Sequence, residues 1–389
     1  MAFLVFILSS LVSYLTIPRV ISVVKAKGLM DDPNERSSHT QKTPTMGGVA
    51  FYVSLMISLF FIRKFDVNGT SINIVAGLTM LFFVGLKDDL VGVRPMTKIW
   101  GQIIATLILF FSIGIEIHSF DNFLWINEIP LWVSIPFGCF LVLSIVNAYN
   151  LIDGINGSAS MVGIVIFACF GFIFYNADKP YYFLMSVLCI GFLTSFLRYN
   201  LSSKKKIFMG DTGSMIVGFM ISVLGLRFLS LSPAELESAW IHPSNKILIL
   251  IAIIFVPFID TTRVFLSRIL RHGKPFKADR SHVHHVMIDY INLSHGWASV
   301  ILALVNIIIF SLMMYVNTMF TSGYVLVFLI LFSIATAVIL FYFNKSYTVR
   351  KDKQKIRKVL NEFTSQQDEN KSKKKKKRKQ ASGVIYRKV

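Results

Sequence analysis

Stretch after stretch of this chain is apolar over close to 20 residues, the length an α-helix needs to cross the hydrocarbon core of a bilayer. About eleven such runs follow one another: Phe3–Val24, Met46–Ile62, Ser71–Leu86, Ile99–Ile115, Leu131–Ala148, Ser158–Tyr175, Tyr181–Leu197, Ser214–Leu229, Ile247–Phe265, Ala298–Val316 and Tyr324–Phe343. The runs are continuous rather than alternating, which excludes an outer-membrane barrel. Only 16% of the 389 residues are charged, against roughly 25% in soluble domains, so a soluble enzyme is excluded too. The expectation is an all-α, polytopic integral membrane protein, with residues 1–344 as its transmembrane domain. The first run lacks a basic leader and carries Pro18-Arg19, so it reads as a retained helix.

The net charge of +19 divides unevenly. Residues 345–389 hold 17 Lys and Arg against 4 Asp and Glu, which is +13 and leaves +6 for the rest. That basic tail reads as a largely disordered cytoplasmic segment that can meet anionic lipid headgroups; nucleic acid has no support beyond the charge. Cys139, Cys169 and Cys189 lie inside apolar runs and read as small core hydrophobes.

Eleven spans put the termini on opposite sides. Connections on the side of the C-terminus carry Lys25, Lys27, Arg36, Lys42, Lys87, Arg94, Lys98, Arg198, Lys204 to Lys206 and the basic residues between Arg268 and Arg280. The other side carries Arg63, Lys64, Lys179 and Lys246. The positive-inside rule then makes the first set cytoplasmic, with the N-terminus outside and the tail inside. Nearly every unusual polar cluster falls in that same set, so one site is expected on one membrane face.

Each cluster has a chemistry. Asp88 and Asp89 are adjacent carboxylates at a helix end, which call for a compensating cation. Mg²⁺, held by one or two carboxylates plus substrate phosphates, suits them. Asn147, Asn150 and Asp153 recur three apart and read as one polar face, costly in a bilayer unless it lines a wet cavity. Asp211 opens the eighth run within Gly210-Asp211-Thr-Gly213-Ser214, either as a helix cap or as a further oxygen ligand. Asp279-Arg280-Ser-His282-Val-His284-His285 matches no zinc spacing and, among its basic neighbours, suits an anion. The loop Asp31–Gly48, with Asn34, Arg36, His39 and Lys42, reads as ligand-facing. Together the clusters imply phosphoryl chemistry between a soluble phosphate compound and a lipid phosphate. A transporter of a nucleotide sugar or other anion is the alternative of another class, but its polar groups would sit near the midplane between repeats.

Five stretches carry a resemblance: Asn34-Glu-Arg36-Ser-Ser-His39 with Pro44 and Gly47-Gly48, Asp88-Asp89 with Lys98, Asn147 to Gly157, Gly210 to Ser214, and Asp260-Thr-Thr-Arg263 through His285. In these the chain resembles the polyprenyl-phosphate N-acetylhexosamine-1-phosphate transferases (glycosyltransferase family 4), in the WecA/TagO-like branch related to MraY. The resemblance implies transfer of N-acetylhexosamine 1-phosphate, GlcNAc-1-phosphate foremost, from a UDP-N-acetylhexosamine to undecaprenyl phosphate. UMP leaves, and the product primes a surface glycan such as O-antigen or teichoic acid. MraY-like transfer of a peptide-bearing phospho-sugar is the alternative within the family.

The resemblance also implies Mg²⁺, with Mn²⁺ able to substitute, on Asn150 and Asp211. It implies a catalytic set of Asp88, Asp89, Asp153, His282, His284 and His285. The substrate-binding set is Asn34, Arg36, His39, Lys42, Lys98, Asn147, Gly154, Asn156 and Arg280. The setting is the bacterial cytoplasmic membrane, with a homodimer left open. One departure stands out: Asn156 occupies the second acidic position of the family's Asp-Gly-x-Asp-Gly stretch, and an amide there cannot act as a base. Direct in-line displacement is favoured over a phospho-Asp route, because the lipid phosphate is already a nucleophile.

Overall fold

The computed structural model describes residues 1–31, 42–112, 115–270, 282–291, 293–339 and 342. Helices dominate, as they must where a lipid surround leaves backbone polar groups only internal partners. In chain order they are α1 (Ala2–Lys27), α2 (Gly47–Ile62), α3 (Thr70–Val91), α4 (Pro95–Leu109), α5 (Leu131–Ile152), α6 (Ser158–Asn176) and α7 (Pro180–Asn200). There follow α8 (Gly210–Leu229), α9 (Pro233–Ser238), α10 (Lys246–Ile253), α11 (Phe255–Leu270), α12 (Val283–Ile291) and α13 (His295–Asn317), then α14 (Ser322–Ile339). One compact unit, Met1–Thr336, holds the site described below. The expected boundary at residue 344 and the basic tail lie outside the described residues.

Each of the eleven apolar runs becomes helical. Among the described residues, eight helices are long and apolar enough to cross a membrane: α1, α2 with its short continuation to Phe65, α5, α6, α7, α8, α13 and α14. The ninth run is a pair, α10 and α11, bent by 77° at a break. The remaining two are α3 and α4. The fourth run is the shortest as a helix, since α4 ends at Leu109 rather than continuing to Ile115.

The centre of the bundle is α8, fully buried along its span, with α2, α3 and α5 against it. Small residues let the backbones touch, the usual device where lipid offers no hydrophobic drive between helices. A Cβ on Gly48 of α2 would lie 2.3 Å from the Gly213 nitrogen of α8, and one on Gly85 of α3 would lie 2.6 Å from Thr212 Cα.

Two short antiparallel hairpins were not expected. The first pairs β1 (Met30–Asp31) with β2 (Thr43–Pro44), Met30 opposite Pro44. It is bonded in turn to the segment leading into α8: Phe208 N–H donates to the Pro44 carbonyl (2.8 Å), Gly47 N–H to the Phe208 carbonyl (3.0 Å) and Gly48 N–H to the Met209 carbonyl (3.1 Å). The starts of α2 and α8 are thereby fixed together. The second hairpin, β3 (Ser119–Phe123) with β4 (Ile126–Glu128), lies beyond the far end of α4 and is tied down by an ion pair between Asp121 and the buried Lys246 at 2.5 Å.

Candidate active site

The first turn of a helix leaves N–H groups without intrahelical partners. At α8 the partner comes from another helix. Asp89, at the end of α3, accepts from Asp211 N–H (2.8 Å), Thr212 N–H (3.1 Å) and the Thr212 hydroxyl (2.5 Å). Gly210 makes room for it, since it has φ +73° and a Cβ there would sit 2.7 Å from Asp89 Oδ2. Asp89 therefore holds α8 in place, and neither α8's own Asp211 nor its Ser214 serves as the cap.

That leaves Asp211 for other work. Its Oδ1 accepts from the Asn150 amide (2.6 Å) and lies 3.2 Å from the Lys98 ammonium. Asn150 also donates to Ser214 Oγ at 2.6 Å. Lys98 in turn forms an ion pair with Asp88, whose other oxygen accepts the Val93 N–H (2.8 Å) in the turn after α3. Asp88, Lys98, Asp211 and Asn150, drawn from α3, α4, α8 and α5, thus form one connected polar group.

Beside this group opens a cavity of about 680 Å³, within the usual range of small-molecule sites, roughly 300–1,000 Å³. Its wall includes Asp89, Asn150, Asp153, Gly154, Asn156, Asp211 and His285. Asp153 follows the last residue of α5, and among the described residues its carboxylate takes no hydrogen bond. Burial, and then the charges of Asp211 and Asp89, push its carboxyl well above the usual range. The 156–157 turn is pinned from outside: Gly157 N–H donates to Asn200 Oδ1 (2.6 Å), Ser299 Oγ to the Asn156 carbonyl (2.9 Å), and Asn156 N–H to His295 Nδ1 (3.4 Å).

The histidine stretch, expected in a loop, enters a helix, α12. All three rings are buried. His284 lies against the Gly154 backbone, where a Cβ would meet its Nε2 at 2.1 Å. Its ring is 4.3 Å from that of His285, which reaches the cavity wall. His282 is turned the other way, its Nδ1 2.8 Å from Asp260 Oδ2.

One expected face does not form. Asn147 donates to Gln102 Oε1 (3.1 Å) and to the Leu143 carbonyl (2.7 Å), away from the cavity. With 3.6 residues per turn, positions six apart fall about a third of a turn out of line, so Asn150 and Asp153 share the site without Asn147. Lys42 is exposed and off the cavity wall. Asn34, Arg36, His39 and Arg280 lie outside the described residues. Asn200, His295, Thr45 and Phe208 line the cavity unannounced. A single Asn ending a span and a single His opening one carry no distinguishing pattern.

Mg²⁺ can be tested against the donors present. Asp211 and Asn150 offer hard oxygen ligands on one wall. Among the described residues no three His, Cys, Asp or Glu side chains close on one point. Mg²⁺ characteristically uses one or two carboxylates and takes the rest of its shell from substrate phosphates and water. The residues fit such an ion.

A bundle of apolar helices with a connected carboxylate, lysine and amide group beside a polar cavity defines a membrane-embedded enzyme of anionic substrates. The chain is similar to glycosyl transferase family 4, whose model it matches over residues 71–229, the stretch that supplies Asp88, Lys98, Asn150, Asp153 and Asp211. It is similar to the probable undecaprenyl-phosphate N-acetylglucosaminyl 1-phosphate transferase of Bacillus subtilis, 28% identical across 84% of this chain and 88% of that protein. It is also similar to the undecaprenyl-phosphate alpha-N-acetylglucosaminyl 1-phosphate transferase of Escherichia coli O157:H7 (28% identical, 68% and 71% covered). A third relative is the decaprenyl-phosphate N-acetylglucosaminephosphotransferase of Mycobacterium leprae (29%, 68% and 70% covered).

Proposed function

We propose that this protein transfers N-acetylglucosamine 1-phosphate from UDP-N-acetylglucosamine to undecaprenyl phosphate. A lipid-phosphate oxygen forms a bond to the β-phosphorus, the bond from that phosphorus to the bridging oxygen breaks, and UMP leaves with the electron pair. The observation that carries the reading is the junction of the Asp88–Lys98–Asp211–Asn150 group with a cavity of nucleotide-sugar size.

In this reading Lys98 is the cation against which both phosphates approach, and Asp88 orients its ammonium and takes the proton of the lipid phosphate. His285 donates a hydrogen bond to the sugar phosphate from the cavity wall, with His284 packed behind it. Asn156, whose backbone is held on both sides by α13, meets the base, with Asp153 beside it. Mg²⁺, when held by Asp211 and Asn150, supplies Lewis acidity and charge neutralisation for the diphosphate. The same reading puts the protein in the bacterial cytoplasmic membrane with the cavity facing inward. Its support is the run of basic connections on the cavity's side.

The test uses purified protein, undecaprenyl phosphate, Mg²⁺ and UDP-GlcNAc radiolabelled in the sugar. Label entering the organic phase together with an equimolar release of UMP is expected, lost with EDTA and restored by Mg²⁺. Release of UDP instead of UMP, or uptake of intact nucleotide sugar into vesicles, would overturn the reading.

A further inference from the structure

We infer that Asp260 is a positioning residue that delivers His284 and His285 to the cavity by anchoring the start of α12. The inference rests on the function proposed above, in which His285, backed by His284, touches the donor substrate.

Asp260 sits on α11 with only 4% of its surface exposed, and both its oxygens are committed. Oδ2 lies 2.8 Å from His282 Nδ1. Oδ1 accepts from Val283 N–H (3.0 Å) and from Arg263 Nη2 (2.8 Å), one turn along the same helix. His282 is the residue whose carbonyl accepts the first bond of α12, from Val286 N–H at 3.1 Å. Its side chain is turned to Asp260, so the carboxylate does for α12 what a cap residue's own oxygen ordinarily does: it satisfies a free N–H of the first turn. Because the partner at Nδ1 is a carboxylate, the proton on that nitrogen is fixed.

From this anchor the contacts run unbroken to the cavity. The His282 and His284 rings lie within 8° of parallel at 5.9 Å, and His284 meets His285 at 4.3 Å. His284 lies against Gly154, beside Asp153, and His285 is in the wall. Arg263 balances the buried carboxylate, so the anchor carries its own counter-charge and needs nothing from the substrate.

The experiment compares Asp260→Asn, His282→Ala and the double variant in the UMP-release assay. An Asn amide must set its NH₂ against one of three donors. kcat/KM for UDP-GlcNAc is therefore expected to fall on the order of tenfold to a hundredfold, the range for outer carboxylates that orient histidines. KM for undecaprenyl phosphate should not move, and the double variant should fall no further than the weaker single, because both cut one linkage. A residue that only stabilised the fold would give losses that multiply and would affect both substrates.

Val283→Pro provides a second route that leaves the carboxylate intact. It deletes the donated N–H at the first helical residue, where proline is tolerated, and a smaller loss in the same parameter is expected. Wild-type kcat/KM in Asp260→Asn or in Val283→Pro, or multiplying losses in the double variant, would overturn the inference. Failure of the unaltered protein to release UMP would instead overturn the proposed function.

Discussion

Lys98 stands between two carboxylates from different helices, paired with Asp88 of α3 and 3.2 Å from Asp211 of α8. Lys98→Met leaves both carboxylates facing each other and the incoming phosphates. Truncating one partner of a hydrogen-bonded charge pair costs roughly 2–5 kcal/mol once the pair is desolvated, so with the phosphates seated over it kcat/KM for UMP release should fall at least about thirtyfold, while Lys98→Arg should keep part of the activity. Asp153 gives a second prediction. Its carboxyl is held well above the usual range by burial and by the charges of Asp211 and Asp89, so the fold favours the protonated form. The resulting stability is fully present below the ordinary Asp range and is lost as pH rises toward the raised value. Asp153→Asn should therefore melt close to wild type in acid and above it at alkaline pH in substrate-free detergent solution, while losing activity. A melting gap that stays constant with pH would contradict this. Residue types and motif order made Asp88, Asn150 and Asp211 legible in the sequence. Who faces whom was not legible: that Asp89 caps α8 while its neighbour Asp88 faces Lys98 depends on where one carboxylate points relative to the next.

At the scale of elements, the glycine contact between α2 and α8 governs where Asp211 stands. A Cβ at Gly48 would meet Gly213 N at 2.3 Å, Gly213 Cα at 2.6 Å and the Thr212 carbonyl carbon at 2.6 Å. These are backbone atoms, with no rotamer to escape into. Gly48→Ala must therefore push α2 from α8 just where Asp211 begins, costing roughly 1–3 kcal/mol as an overpacked contact, visible as a lower melting temperature with reduced activity. Gly296 in α13 has nothing within 4 Å of its Cβ position, so Gly296→Ala should be neutral or slightly stabilising. Equal effects at the two positions would refute the packing account. The helices themselves were legible because apolar runs near 20 residues have few other uses. The break between α10 and α11 was not, because the sequence stays apolar across the break itself, from Ile247 to Ile259. Its cause is Pro257, which cannot donate to the Ile253 carbonyl; that carbonyl is taken by Asn306 Nδ2 (2.8 Å), and Asn306 Oδ1 accepts Val256 N–H (3.1 Å). A partner some fifty residues away in α13 makes the bend affordable, and no local pattern announces it. The short α12 escaped for a related reason: its first turn is capped from α11.

Across the whole molecule, charge is sorted between the two ends of the bundle. Lys25, Lys27, Lys87, Arg94, Lys98, Arg198 and Lys204 to Lys206 lie in connections or helix ends on the cavity's side. At the other end, Lys179 is paired with Glu235 and Lys246 with Asp121. Positive connections stay on the cytoplasmic side of a bilayer, and a nucleotide sugar, doubly anionic or more, cannot cross it unaided. Both considerations support the inward-opening cavity of the proposed function, which single-cysteine labelling of intact cells can check. Cys169 and Cys189 are buried and Cys139 lies within α5, so the background should be low. Asn127→Cys, exposed on β4, should react with a membrane-impermeant maleimide without permeabilisation. Lys205→Cys, exposed between α7 and α8, should react only once the membrane is opened. The reverse pattern would turn the cavity outward, away from any cytoplasmic supply of UDP-sugar, and a transferase drawing its donor from that pool could not then be the protein's function.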